Sequence, residues 1–273
     1  MNQTIRILHH SGALPASIAD ALQKAGISSA IEPSSSIGAA CDALLRGAAD
    51  TALIPLHLVP LTLPEGVVIT ALSGRERAAE CLLRLSGNTD ASGMFGLPAK
   101  PVLCVSNLRR SVQMSDLLPG YQETELEKDF EKALHQLRSG AADGLLWPEM
   151  ELPETEALQE MGLSVLRFHP REFQPAPGQG VWAWLACRDD VVLRRLLKKL
   201  HHPVVAVVTN VERGALRLLP ETDQASAGIY AEYDAQGNYH VWASVAAVSG
   251  LKRARLSSST HFQLAEKVAA QLS

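Results

Sequence analysis

The sequence predicts two α/β domains of similar plan, followed by a C-terminal α+β domain. Three observations support this prediction. Apolar strands alternate with amphipathic helices, the pattern restarts near residue 102, and the last third changes to helices plus a hairpin. The chain has 273 residues, 47% of them hydrophobic and 20% charged, which is enough for more than one folded core.

The first domain begins with a buried strand and a helix that ends at Gly26, since glycine commonly terminates helices. Its predicted elements are a strand over 4–8, helices over 15–25 and 37–46, and strands over 51–54 and 67–72. Strands separated by helices imply a mainly parallel sheet.

The second domain repeats this order with a strand over 102–105, helices over 108–118 and 129–138, and a strand over 144–147. The final third predicts helices over 190–200 and 204–218, a hairpin turning at 234–238, and a terminal helix over 260–272. The predicted boundaries are 1–77 with 171–192 for domain 1, 78–170 for domain 2 and 193–273 for domain 3.

The cysteines, Cys41, Cys81, Cys104 and Cys187, are scattered and lack the spacing of a metal site or a disulfide framework. No apolar run reaches membrane-spanning length, and the first residues lack the pattern of a signal peptide. We therefore expect a cytoplasmic protein with no membrane or nucleic-acid partner. Lone histidines are more often hydrogen-bonded polar residues than ligands, so no metal site is expected.

Several segments occur in an order that resembles one family. Residues 175–180 read Pro-Ala-Pro-Gly-Gln-Gly, and three further matches fall at 50–60, at 105–110 and at Glu212-Arg213 with 228–231. Together they resemble porphobilinogen deaminase, also called hydroxymethylbilane synthase, over nearly the whole chain. The resemblance implies two periplasmic-binding-protein-like α/β domains around a cleft, plus a C-terminal α+β domain. The resemblance implies an enzyme that joins four porphobilinogen units on a dipyrromethane primer held by a cysteine. It also implies a catalytic carboxylate and arginines that bind the pyrrole carboxylates.

The chain departs from this family at the positions that carry the chemistry. Leu58 stands where the family has its catalytic aspartate, and Asp223 stands where it has the primer cysteine. Glu127 and Ala133 replace two arginines of the family. Between residues 121 and 162 the sequence has eleven acidic residues and three basic ones. We therefore expect no catalytic residue, no covalent cofactor and no dipyrromethane. A tetrapyrrole would be held without a covalent bond.

Arg109 and Arg110 match the family at a strand-to-helix junction, where free backbone N–H groups already favour an anion. The candidate ligand-binding residues are Ser11, His57, Ser106, Asn107, Arg109, Arg110 and Gln179.

The expected function is noncatalytic binding of a linear bilin, a haem-like dipropionate or a related anionic ligand in the cleft. One alternative is a divergent hydroxymethylbilane synthase that uses Asp50 or Glu76 as its carboxylate. Another is a protein that regulates an enzyme of the tetrapyrrole pathway. The expected partners are accordingly a pyrrole or tetrapyrrole ligand and other proteins of that pathway.

Overall fold

The computed structural model describes residues 4–9, 14–87, 93–248 and 250–273. The chain divides into two compact units, a first of Met1–Glu76 with Gly178–Arg213 and a second of Arg77–Pro177 with Gly214–Ser273. The segment 193–213, which the sequence assigned to the third domain, therefore belongs to the first unit. The division into three domains stays a prediction.

The strands are β1 (Ile5–His9), β2 (Ser29–Pro33), β3 (Thr51–Pro55), β4 (Val67–Leu72), β5 (Glu80–Leu85), β6 (Val102–Val105), β7 (Gln122–Glu125), β8 (Gly144–Pro148), β9 (Leu163–Phe168), β10 (Trp182–Cys187), β11 (Gly228–Tyr233), β12 (Tyr239–Ala247) and β13 (Gly250–Ser258). The helices are α1 (Ala16–Lys24), α2 (Ile37–Leu45), α3 (Leu108–Leu117), α4 (Phe130–Arg138), α5 (Thr155–Glu160), α6 (Val191–Leu197), α7 (Pro203–Leu218), α8 (Glu221–Gln224) and α9 (Leu264–Leu272).

The first unit contains a five-stranded sheet in the order β2-β1-β3-β10-β4. β1 pairs in parallel with β2 and β3, whereas β10 lies antiparallel between β3 and β4. The sheet is therefore mixed, and the expectation of a mainly parallel sheet is corrected by this inserted strand. Both faces are covered, because buried residues of α1 and α6 pack on one face and those of α2 and α7 on the other.

The second unit repeats this plan in the order β7-β6-β8-β5-β9. β6 is parallel to β7 and β8, and β5 is the antiparallel strand inserted between β8 and β9. Residues of α4 and α5 pack on one face, and Met114 of α3 packs on the other. The similar plan predicted from the sequence is thus present in both sheets, although β2, β5, β7 and β9 were not predicted.

The C-terminal part of the second unit contains an antiparallel sheet in the order β11-β12-β13, with α9 packed against β12 and β13. This agrees with the predicted hairpin and terminal helix. The helix begins at Leu264 and not at residue 260, because Gln263 adopts a left-handed φ of 54° just before it.

The predicted fold class, α/β sheets followed by an α+β module, is confirmed by these three sheets. Among the described residues, no helix combines the length and the apolar character needed to span a bilayer.

In each five-stranded sheet, several loops lie together at the edge formed by one end of the strands. In the first unit this edge holds the carboxyl ends of β1, β3 and β4 and the start of β10. In the second unit it holds the carboxyl ends of β6, β7, β8 and β9 and the start of β5. Loops at such edges are where α/β proteins usually bind ligands.

Two glycines give a test of the packing. A Cβ on Gly228 would lie 2.4 Å from the carbonyl oxygen of Gln174, whereas one on Gly38 in α2 meets nothing nearer than 3.9 Å. We expect Gly228→Ala to destabilise the protein by roughly 1–3 kcal/mol through overpacking. Gly38→Ala should stabilise it by about 0.5–1 kcal/mol, because alanine favours helix. Denaturant unfolding of both variants measures this, and equal effects would contradict the described packing.

Candidate functional site

The central feature of the second unit is a buried carboxylate held by two buried arginines. Glu80, the first residue of β5, accepts hydrogen bonds from Arg109 Nη2 at 2.5 Å and from Arg110 Nε at 2.8 Å. Glu80 is fully buried, and Arg109 and Arg110 are only 4% and 6% exposed. The arginine pair predicted to face a ligand therefore points into the protein and is already bonded to a carboxylate.

The ionisation of this cluster follows from its opposing charges. Burial acts to raise the pKa of Glu80, but the charges of Arg110 and Arg109 and their hydrogen bonds outweigh it and lower the pKa to about 2. Burial also lowers the pKa of Arg109, and Glu80 opposes that shift. A second carboxylate lies near this cluster, because the charges of Arg110 and Glu80 both act on the pKa of Glu151. The positive charge of the two guanidinium groups is therefore opposed by Glu151 as well as by Glu80.

Arg109 is fixed by a second contact. Its Nη1 donates to the carbonyl oxygen of Gln174 at 3.0 Å, and the Gln113 side chain donates to the same oxygen at 2.9 Å. The Gln174 N–H in turn donates to Gln113 Oε1 at 2.7 Å. Arg109 is thus a structural residue that links β5, α3 and the segment after β9.

Arg110 lies directly below exposed polar groups. Its Nη1 donates to Ser106 Oγ at 2.5 Å, and both Ser106 and Asn107 are exposed. Asn107 caps α3 by accepting from the Arg110 N–H at 3.0 Å. A ligand carboxylate can therefore reach the Ser106 hydroxyl and the start of α3, with the charge of Arg110 behind them.

The corresponding edge of the first unit carries Leu58, in the short 3₁₀ turn Leu56–Leu58 that follows β3. Leu58 is 36% exposed. Arg213 holds this turn, since it donates to the carbonyl oxygens of Leu56, Val59 and Pro60 at 2.8–3.1 Å. An apolar side chain thus occupies the position where the family resemblance placed a carboxylate.

The other predicted residues of this edge have different environments. His57 is half-buried, and Gln179 is 1% exposed in the segment that precedes β10. Ser11 lies outside the described residues. Asp223 is half-buried in α8, where its carboxylate accepts from Thr222 Oγ1 at 3.0 Å. The structure therefore groups Ser106, Asn107, Arg109 and Arg110 in the second unit and His57, Leu58 and Gln179 in the first.

The two carboxylates considered as replacements lie at opposite ends of the first sheet. Asp50 immediately precedes β3 and forms an ion pair with Arg6 at 2.8 Å, and a hydrogen bond from Arg6 is the main cause that lowers its pKa. Glu76 is exposed and follows β4, which runs parallel to β3 because both are antiparallel to β10. Glu76 thus shares an edge with Leu58, whereas Asp50 does not.

Sequence reasoning missed Glu80, the residue that decides how the arginines are used. Its only signal was an acidic residue at the start of the apolar run Glu80–Leu85, where a charge needs a buried partner.

Comparison with known proteins now decides the family. The family model for "Porphobilinogen deaminase, dipyromethane cofactor binding domain" matches residues 19–195. This chain belongs to the porphobilinogen deaminase family. The family resemblance expected from the sequence is confirmed.

Curated relatives agree with this assignment. This family member is 32% identical to porphobilinogen deaminase of Syntrophobacter fumaroxidans, in a match that covers 77% of the chain and 65% of the relative. It is also 32% identical to the enzyme of Nitratiruptor sp., with 70% and 59% covered. The matched part thus spans less than two thirds of the length of these relatives.

Solved structures with a related fold include an ancestral arginine-binding protein bound to glutamine (15% identical, TM-score 0.41, 73% of this chain and 91% of that chain covered). Another is the BvgS periplasmic VFT2 domain of Bordetella pertussis (13% identical, TM-score 0.43, 72% and 86% covered).

The family assignment corrects one expectation. We expected no dipyrromethane, and this is wrong because the matched model is that of the dipyrromethane-binding domain. The residues of this porphobilinogen deaminase homologue fit the anionic side chains of such a group at one place. Ser106 and Asn107 are exposed there, with Arg110 bonded to the Ser106 hydroxyl, and they would hold a pyrrole carboxylate.

The buried cluster predicts a steep acid dependence of stability. Because the folded-state pKa of Glu80 is about 2, below its ordinary value of 4.5, its stabilising effect is present above about pH 5 and is lost as the pH falls towards 2. Glu80→Gln should cost roughly 3–5 kcal/mol at neutral pH, because it leaves two buried arginines without a carboxylate. It should also flatten the pH dependence between about pH 5 and pH 2.

Denaturant unfolding across this pH range measures both effects. Glu154→Gln is the matched control, because Glu154 pairs with Arg77 through a carboxylate that is 82% exposed. The control should change stability by less than about 1 kcal/mol. An equal loss in the two variants would contradict the structural role of Glu80.

Proposed function

We propose that this chain binds a carboxylate-bearing pyrrole ligand, such as a linear bilin or a haem-like dipropionate, without joining pyrrole units itself. The observation that carries the proposal is Leu58, an exposed leucine at a sheet edge where the family resemblance calls for a carboxylate. A leucine neither stabilises a cationic intermediate nor transfers a proton.

The anionic end of the ligand is assigned to Ser106 and Asn107. Both are exposed at the start of α3, and Arg110 donates to the Ser106 hydroxyl from below. Ser106 can therefore donate its own proton to a carboxylate while Arg110 supplies the charge. Arg109 takes no direct part, because Glu80 and Gln174 occupy it.

The surrounding charge favours a ligand with few carboxylates. Glu127 is exposed shortly after the carboxyl end of β7, beside the strand β6 that leads into Ser106. Ala133, the second position where the family has an arginine, is fully buried in α4. Glu151 also interacts with Arg110. These acidic neighbours suit a dipropionate better than a growing chain that adds two carboxylates per unit.

A second candidate is a divergent hydroxymethylbilane synthase that uses Glu76. It is favoured by one observation, that Leu72 and Ile54 both pair with Ala183 and are thus level in the sheet. Glu76 lies four residues after Leu72, and Leu58 lies four residues after Ile54, so both emerge at the same edge. The four cysteines are unpaired, which supports a cytoplasmic setting for either function.

Binding is tested by calorimetric titration of the purified chain with biliverdin and with haem. Ser106→Ala should weaken binding by about 0.5–1.5 kcal/mol, the value of one hydrogen bond. Arg110→Ala is unsuitable, because it would leave Glu80 poorly compensated and destabilise the unit.

Ser139→Ala is the matched control, since Ser139 is exposed after α4 at the opposite end of the second sheet. Its affinity should equal that of the parent. Absence of binding by the parent, or equal affinity in all three proteins, would contradict the proposal. Either result would favour the regulatory-partner alternative.

Turnover is tested by incubating the chain with porphobilinogen and following porphyrin formation after acid oxidation of the product. We expect no product from the parent or from Glu76→Gln, because Leu58 supplies neither a negative charge nor a proton at the position where the family resemblance has its carboxylate. Product from the parent that disappears in Glu76→Gln would contradict this prediction and establish the divergent synthase.

A further inference from the structure

Three polar side chains on the C-terminal antiparallel sheet are linked by hydrogen bonds. Asp234, in the turn between β11 and β12, lies 2.8 Å from His240 Nε2 through its Oδ2. His240 Nδ1 lies 2.7 Å from the Oγ of Ser257. His240 and Ser257 face each other across β12 and β13, and Ser257 is exposed. None of these residues belongs to the proposed pyrrole site.

The donors and acceptors of these three side chains have one consistent order. The Asp234 carboxylate accepts from the N–H groups of Gln236 and Asn238 at 2.9 and 2.8 Å, so the turn holds it in place. The hydrogen bond from His240 is the main cause that lowers the pKa of Asp234 to about 2, which keeps it ionised. An ionised carboxylate only accepts, so Nε2 of His240 carries a proton, and in the neutral imidazole Nδ1 accepts from the Ser257 hydroxyl.

This is the arrangement of an activated nucleophile, in which a base within hydrogen-bond reach is oriented by a third group. The roles of the two imidazole nitrogens are exchanged relative to the usual hydrolase triad, but each makes its contact. A network that only stabilises the hairpin would need no exposed hydroxyl at its end.

Positive charge lies on the same face of the sheet. Arg255 precedes Ser257 by two residues on β13 and therefore points to the same side. Its guanidinium lies 5.7 Å from the ring centre of Trp242, the next residue on the His240 face of β12. A cation beside Ser257 favours an anionic reagent and stabilises an oxyanion that forms there.

We propose that Ser257 is an acylation site that takes its acyl group from an acyl phosphate, with His240 as the general base. The Ser257 proton passes to His240 Nδ1 while Oγ forms a bond to the carbonyl carbon. The bond from that carbon to the phosphate oxygen then breaks, and phosphate leaves with the proton from His240. The products are an O-acylserine and inorganic phosphate, so no oxidant or reductant is required.

The whole chain is incubated with acetyl phosphate, and acetylated peptides are quantified by mass spectrometry. Ser259 is the internal control, because it is exposed immediately after β13. Ser257 should react at least about tenfold faster than Ser259, a modest share of the effect of general-base catalysis. His240→Gln and Asp234→Asn should reduce the rate at Ser257 towards that of Ser259, with folding checked by circular dichroism.

The neutral ester p-nitrophenyl acetate distinguishes general-base catalysis by His240 from electrostatic attraction of the reagent by Arg255. Both reagents should acetylate Ser257, and Arg255→Gln should slow the reaction with acetyl phosphate alone. Equal rates at Ser257 and Ser259, or a rate at Ser257 that His240→Gln leaves unchanged, would overturn the proposal. Reaction of Ser257 with the neutral ester alone would overturn the assignment to an acyl phosphate.

Discussion

Much of the second unit depends on one buried carboxylate, Glu80, shared by two buried arginines. Each ion would be costly to bury alone, and together they are stable because every charge has a partner at hydrogen-bond distance. The cluster joins the start of β5 to α3, and through Gln174 it also holds the segment after β9. Because Glu80 binds both arginines, they are buried, and they support the exposed Ser106 and Asn107 instead of facing a ligand.

The repeated sheet plan explains why chemistry-bearing residues collect at one edge of each unit. In both sheets an antiparallel strand is inserted beside the parallel ones, β10 in the first and β5 in the second. The start of this strand therefore lies beside the carboxyl ends of its neighbours. In the second unit that start is Glu80, and in the first unit it follows the segment containing Gln179.

The sequence predicted the strands and helices with strong periodicity, including β4 and β6 at their observed bounds. It did not predict β2 or β7, which are exposed edge strands with little apolar pattern. The assignment of Leu58 to the position of the family's catalytic carboxylate rests on the sequence resemblance and stays a prediction. The sequence could not predict that Arg109 and Arg110 are buried, because this depends on Glu80 approaching them from a strand about thirty positions earlier in the chain.

The central claim is that a pyrrole carboxylate is held at Ser106 and Asn107. Its most direct test is a series of two-dimensional amide NMR spectra of the isotope-labelled chain during titration with biliverdin. The account predicts saturable shifts at the amides of Ser106 and Asn107, with the amide of Ser139 unchanged. Spectra without saturable shifts, or with shifts confined to other parts of the chain, would contradict it.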